Sequence, residues 1–217
     1  MRGIRVVAVL CLALAAPAPA PAGVAKASGT VPSPGRWSAE SLDLATPADA
    51  PIRRYPSVDS SAEAVVENDS LAVHVGDRHA GRVPFAVPGE ILWSEDSAAF
   101  AVTSSDGGEG GTWRVALHAL SGEGVRTVDP TGSVVEAFLP LQRCREPELP
   151  DVGAVAWVDG SRKVLVVARV PSRPGCSNAG FIQGYVVALP SGAVERTLTE
   201  SEILERYRAK LGRELRR

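Results

Sequence analysis

The stretch Leu92-Trp93-Ser94-Glu95-Asp96-Ser97 returns as Ala156-Trp157-Val158-Asp159-Gly160-Ser161, and this pair of segments decides how the rest of the chain is read. In both, an acid stands two residues after the tryptophan and a serine two residues after the acid. An apolar strand follows, Ala98 to Thr103 in the first copy and Val164 to Ala168 in the second. A polar, glycine-containing loop then leads to a second strand, Trp113 to His118 or Gly184 to Leu189. The copies close alike, Ser121-Gly122 and Arg126-Thr127-Val128 matching Ser191-Gly192 and Arg196-Thr197-Leu198. The inner loop of the second copy is six residues longer, which moves the offset between copies from 64 to 70. Self-similarity at such a spacing marks a fold assembled from repeated supersecondary units.

Each unit runs strand, turn, strand, turn, strand over about 40 residues, the size of one β-propeller blade. The tryptophan, acidic turn and apolar strand resemble the W-S-P-D-G element of degenerate WD40-like and TolB-like propeller repeats. Glu95 and Asp96 stand at the Pro and Asp positions, and Asp159-Gly160 is intact in the second copy. The resemblance covers about 85 of the 217 residues and carries no catalytic residue with it. Two units, or three if Ala64 to Pro88 is a worn copy, cannot close a ring that normally needs at least about four blades. The expected fold is therefore mainly β, with antiparallel blade-like sheets in a partial propeller or sandwich-like stack and one C-terminal amphipathic helix.

Upstream, Arg2 and Arg5 precede an uncharged run from Val6 to Ala16 and a proline-rich, small-residue stretch, the order of a secretory signal. The run is too short for a membrane anchor, which takes about 20 apolar residues. Cleavage is expected after Ala22, with Ala27 the alternative, so Cys11 leaves with the signal. Loss of the two arginines leaves 21 basic against 25 acidic residues, moving the net charge from −2 to 21 − 25 = −4. That balance argues against a nucleic-acid partner. Arginine outnumbers lysine heavily, a bias that reflects GC-rich bacterial coding rather than chemistry. Residues 23–63, rich in proline and alanine, read as a linker or loosely held arm, with Trp37 able to pin it. A single β-rich domain is expected over 64–217, with repeats at about 92–129 and 156–199. Within it, Leu71 to Val75 and Arg82 to Val87 read as a hairpin turning through Gly76-Asp77-Arg78.

After the last strand, Thr199-Glu200-Ser201-Glu202 fits a capping box, and Ile203, Leu204, Tyr207, Leu211 and Leu215 follow at helical spacing, predicting a helix over 200–215. Arg206, Lys210, Arg213 and Arg217 occupy its other face as solvated charge.

Nucleophilic catalysis needs a positioned base, and the chain offers only His74, His79 and His118. His74 and His118 fall within strands and read as surface or structural residues. No G-x-S-x-G elbow occurs, and no zinc ligand spacing is present. The run from Ser105 to Thr112 is rich in glycine but lacks the lysine of a phosphate loop and joins two strands. Asp106 and Glu109 are too few for a calcium site, and Glu146, Glu148 and Asp151 read as solvated acids in a loop. No catalytic, cofactor-binding or metal residue is therefore assigned.

Two cysteines remain after signal removal, Cys144 and Cys176, and an oxidising compartment favours one bridge between them. Free thiols or an intermolecular bridge are the alternatives. The combined expectation is a secreted or periplasmic, non-enzymatic interaction or envelope-associated module, with no cofactor and a protein or cell-envelope component as partner. Loops 104–112 and 171–182 are its expected contact surfaces. The alternative is an extracytoplasmic hydrolase using scattered carboxylates.

Overall fold

Valine-rich runs punctuated by Gly, Asp and Ser form strands because β-branched side chains suit a pleated, half-buried surface. A two-residue strand, β1 (Leu42–Asp43), comes first, followed by a meander of β2 (Arg54–Pro56), β3 (Ala62–Glu67), β4 (Ser70–Val75) and β5 (Arg78–Pro84). The second meander is β6 (Gly89–Trp93), β7 (Ala99–Ser105), β8 (Trp113–Ser121) and β9 (Gly124–Val128), with β1 added beside β6. The third is β10 (Asp151–Trp157), β11 (Lys163–Arg169), β12 (Ile182–Ala188) and β13 (Val194–Leu198). All pairings are antiparallel. The computed structural model describes residues 35–44, 53–107, 111–146, 148–172 and 175–216. The expected signal sequence, Cys11 and both expected cleavage sites lie outside them, as do Glu109 and Arg217.

The three sheets stack face to face, with the second in the middle. Its side chains alternate between two cores: Ile91, Trp93, Phe100 and Val102 pack with Leu71, Val73 and Val83 of the first sheet, while Leu92, Ala101, Val115 and Leu117 pack with Val152, Val164 and Val166 of the third. This is why β6 is buried at every position, although a sheet with one wet face would alternate. A helix absent from the sequence reading, α1 (Thr131–Phe138), links the second and third sheets and buries Val134 and Phe138 in the core between them. Its signal was the Val134, Val135, Phe138 spacing behind Pro130, too short a pattern to separate from a strand.

The C-terminal helix, α2 (Glu200–Tyr207), starts on the expected capping box: Thr199 Oγ1 accepts from the Glu202 amide at 3.3 Å, and the Thr199 amide donates to Glu202 Oε2 at 2.8 Å. It stops eight residues short of the predicted end. One turn of 3-10 helix (Arg208–Lys210) follows, and Leu211 then runs extended and bridges to Ser38. The helix yields because upstream backbone takes over its hydrogen bonds. Gly212, Arg213 and Glu214 donate to the carbonyls of Trp37, Gly35 and Arg36 at 2.8, 3.0 and 3.0 Å. A Cβ on Gly212 would sit 2.4 Å from the Arg36 carbonyl group, so only glycine permits this approach. Leu211 and Leu215 still join Ile203 in the core over the outer face of the third sheet, from outside the helix.

Residues 35–44 and 54–63, expected in the linker or arm, instead belong to the packed body. Trp37 and Leu44 are fully buried, β1 extends the second sheet, and β2 opens the first. Composition misread them because their apolar residues are sparse and their partners are distant in sequence. The hairpin read at residues 71–87 is present as β4 and β5, with its turn shortened to Gly76-Asp77.

Candidate functional site

One end of the stack holds the repeated turns that opened the sequence reading, and the structure adds a third that was missed, Ser57-Val58-Asp59-Ser60. In this turn Ser57 Oγ donates to Asp59 Oδ1 at 3.1 Å while the Ser61 and Ala62 amides donate to Asp59 Oδ1 and Ser57 Oγ at 2.9 and 3.0 Å. In the second sheet Ser94, Asp96, Ala98 and Ala99 reproduce that set at 2.7, 3.2 and 3.0 Å. The turns also grip one another. Ser97 Oγ accepts from the Asp59 amide at 3.1 Å, and Asp96 Oδ2 accepts from the Ser161 amide at 3.0 Å. Hydrogen bonds from Ser61, Ser97 and Ser57 hold the Asp59 carboxyl well below the usual range. In the third turn the equivalent of Asp59 and Asp96 is Gly160, with φ at +52°. The series of clamping carboxylates ends there, on the sheet whose outer face α2 covers. These turns are structural, since the carboxylates of Asp59, Asp96 and Asp159 are used within the fold.

The expected disulfide is present. Cys144 and Cys176 are bonded and face each other in an antiparallel bridge, flanked by Arg145 N to Gly175 O at 3.0 Å and Ser177 N to Arg143 O at 2.8 Å. Asn178 completes the lobe: its Oδ1 accepts from the Arg143 amide at 2.8 Å and its Nδ2 donates to the Leu141 carbonyl at 3.0 Å. The bond closes a 32-residue separation, a length for which chain entropy gives about 3 to 4 kcal/mol of stabilisation. It ties the expected contact loop 171–182 to the connection between the second and third sheets. On this lobe Leu141 and Leu149 are 40% and 50% exposed. Gln142 Nε2, donating to the Glu148 carbonyl at 2.9 Å, holds their two stretches together. A groove of about 280 Å³ runs from Leu149 past Val135 to Thr112 and Arg114, where the other expected contact loop rejoins its strand.

The remaining candidates separate. Asp151 is not a solvated acid: it is buried, 3.1 Å from Arg169, and accepts from the Trp113 amide at 3.3 Å. Glu146 is exposed. His118 is fully buried, stacked on Phe100 with centroids 4.6 Å apart, its Nδ1 3.0 Å from Thr127 Oγ1. Burial pushes its pKa down to about 4, so it is a neutral core residue. His74 and His79 stand together on the first sheet, far in sequence from His118. Among the described residues no three His, Cys, Asp or Glu side chains form a group able to hold a metal, and no helix is long and apolar enough to cross a membrane.

The most unusual polar group is Glu90, which sequence reasoning passed over because a lone acid in an apolar strand gives no signal. Its carboxylate is 2% exposed and accepts from the amides of Arg36 at 2.7 Å and of Trp37 and Ser38 at 3.2 Å, fixing the arm to β6. Burial pushes its pKa up to about 7, against those donors. The folded state therefore holds this proton more tightly than the unfolded chain, and Glu90 lowers stability as pH rises from about 4.5 to 7. His118 has the opposite sign, because the unfolded chain takes up its proton more readily, and it raises stability from about pH 4 to 6.5. Each effect is on the order of 3 kcal/mol and they offset in the wild type. Glu90→Gln should leave the His118 slope uncompensated, so chemical denaturation across pH 4 to 7 should show the variant gaining stability relative to wild type as pH rises. Parallel profiles would disprove this balance.

Compared with protein-family models, with curated proteins and with solved structures, the chain matches none.

Proposed function

We propose that the chain is an exported, non-enzymatic interaction module associated with the cell envelope, and that it contacts its partner through the disulfide-pinned lobe at residues 141–149 and 175–178. The observation that carries this reading is the pair of exposed leucines, Leu141 and Leu149, on a segment held by a covalent bond and by Asn178. Apolar side chains fixed before binding lose little entropy on contact, which favours an anchor over an accidental exposure. The signal-like N-terminus supports export, and the disulfide suits an oxidising compartment. The meander order of all three sheets supports the likeness to propeller blades, here as a stack in which repeated turns supply rigidity and the opposite loops supply contacts. Asp151, the most buried acid of the 146–151 cluster, is neutralised by Arg169, which weighs against a hydrolytic carboxylate pair there.

Wild-type protein should capture a component from the envelope fraction of the producing cell, and Leu141→Ser/Leu149→Ser should lose that capture while melting within a few degrees of wild type. Equal capture by the double variant would exclude the lobe. Turnover of glycoside, ester or peptide substrates, abolished by replacing a single acid, would overturn the non-enzymatic reading in favour of a hydrolase.

A further inference from the structure

Among the described residues no sheet packs on the outer face of the first sheet, and its polar residues are arranged in cross-strand rows. Arg54 pairs with Glu63 and Arg82 with Glu67, roofing Val65 and Ala72, which are 5% and 1% exposed. Glu63 of the first pair also heads, on the side of the Gly76-Asp77 turn, the row Glu63, His74, His79, whose members are direct partners across β3, β4 and β5. Directly opposed residues in an antiparallel pair project on the same face, so the two imidazoles meet. Their centroids are 5.4 Å apart with planes at 77°.

We propose that His74 and His79 form a two-imidazole site for a divalent first-row transition metal, with copper(II) bound most tightly and zinc less so. Three observations carry it. The separation is the first: with metal–nitrogen bonds of about 2.0 to 2.1 Å, two imidazoles on one tetrahedral or tetragonal ion place their centroids roughly 4.5 to 5.5 Å apart. Both side chains are reachable, His79 being exposed and His74 half-buried. The surrounding cations are also engaged: Arg54 on Glu63, Arg82 on Glu67, and Arg78 on the Ser121 carbonyl at 3.2 Å. Each of these three guanidiniums is therefore turned to another partner, and Asp77 at the adjacent turn adds a negative charge to the neighbourhood. With Glu63 held by Arg54, water completes the coordination. Imidazole ligands suit copper, nickel and zinc, and the divalent series places copper highest. The strand ladder fixes the two backbone positions before the metal arrives, so the second nitrogen binds as an intramolecular step.

The chain has three histidines, and the third is buried in the core, so the assignment is testable without ambiguity. Untagged protein titrated with copper(II) or zinc(II) should bind one ion saturably and melt at a higher temperature in its presence. His79→Ala, at an exposed position, should melt as wild type without metal yet bind at least about tenfold more weakly. Its copper electron paramagnetic resonance spectrum should lose the hyperfine pattern of one of the two nitrogens. Absence of saturable binding, or wild-type affinity and spectrum in His79→Ala, would overturn the site. His74→Ala gives the same reading, with the unliganded melting temperature as its folding control.

Discussion

A chain ending at Thr199 should fail to fold cooperatively. Removal of residues 200–217 takes away Ile203, Leu211 and Leu215, all buried, and strips cover from Leu165 and Val167 on the outer face of the third sheet and from Trp37 and Trp113, which pack in the same core. Burying one such aliphatic side chain contributes roughly 1.5 to 3 kcal/mol, so three lost side chains cost about 5 to 9 kcal/mol, comparable with the whole stability of an ordinary domain. The loss extends further, because residues 208–215 also hold the arm through Ala39 N to Lys210 O at 2.9 Å and through the three carbonyls of Gly35, Arg36 and Trp37. The truncated protein should show a broad, weakly cooperative thermal transition and bind a hydrophobic dye. A sharp melt at the parent temperature would show that the segment is dispensable.

Trp37→Ala should cost about 3 to 5 kcal/mol, the range for removing a large aromatic from a packed site. Trp37 is fully buried, with Trp113 at 6.3 Å between centroids and the Arg169 guanidinium 5.6 Å from its ring. Its seat is cut to fit: a Cβ on Gly153 would fall 2.1 to 2.5 Å from the indole carbons. Equilibrium denaturation measures the cost, and limited proteolysis should find new cleavage between residues 35 and 44. The converse change, Gly153→Ala, should release the arm in the same way by evicting the ring. If Trp37→Ala lowers the unfolding free energy by only a few tenths of a kcal/mol, the arm is a passenger. The arm would then not be the strap that joins β6 to the C-terminal segment.

The two tests also separate what is local from what is not. The strands beyond residue 63, the Gly76-Asp77 turn, the start of α2 and the two tryptophan-led turns were legible because each depends on residues a few positions apart. Alternation, turn chemistry and the reciprocal Thr199–Glu202 bonds need no distant partner. The Cys144–Cys176 bridge was legible for a different reason, since the expected export and loss of Cys11 leave two cysteines with few ways to pair. Tertiary structure alone decided where Trp37 goes, because Gly153 and the 208–215 segment are more than a hundred residues away. It also stopped α2 at Tyr207: spacing favours continuing the helix to Leu215, but backbone carbonyls of the arm offer Gly212 to Glu214 better partners. The same holds for Ser57-Val58-Asp59-Ser60, hidden in a proline-rich stretch and recognisable as a repeat only once Ser97 Oγ is seen on the Asp59 amide. Glu90 and the His74–His79 pair follow this rule too. Charge, burial and proximity belong to the packed sheets, and a chain read in one dimension carries the residues without the distances between them.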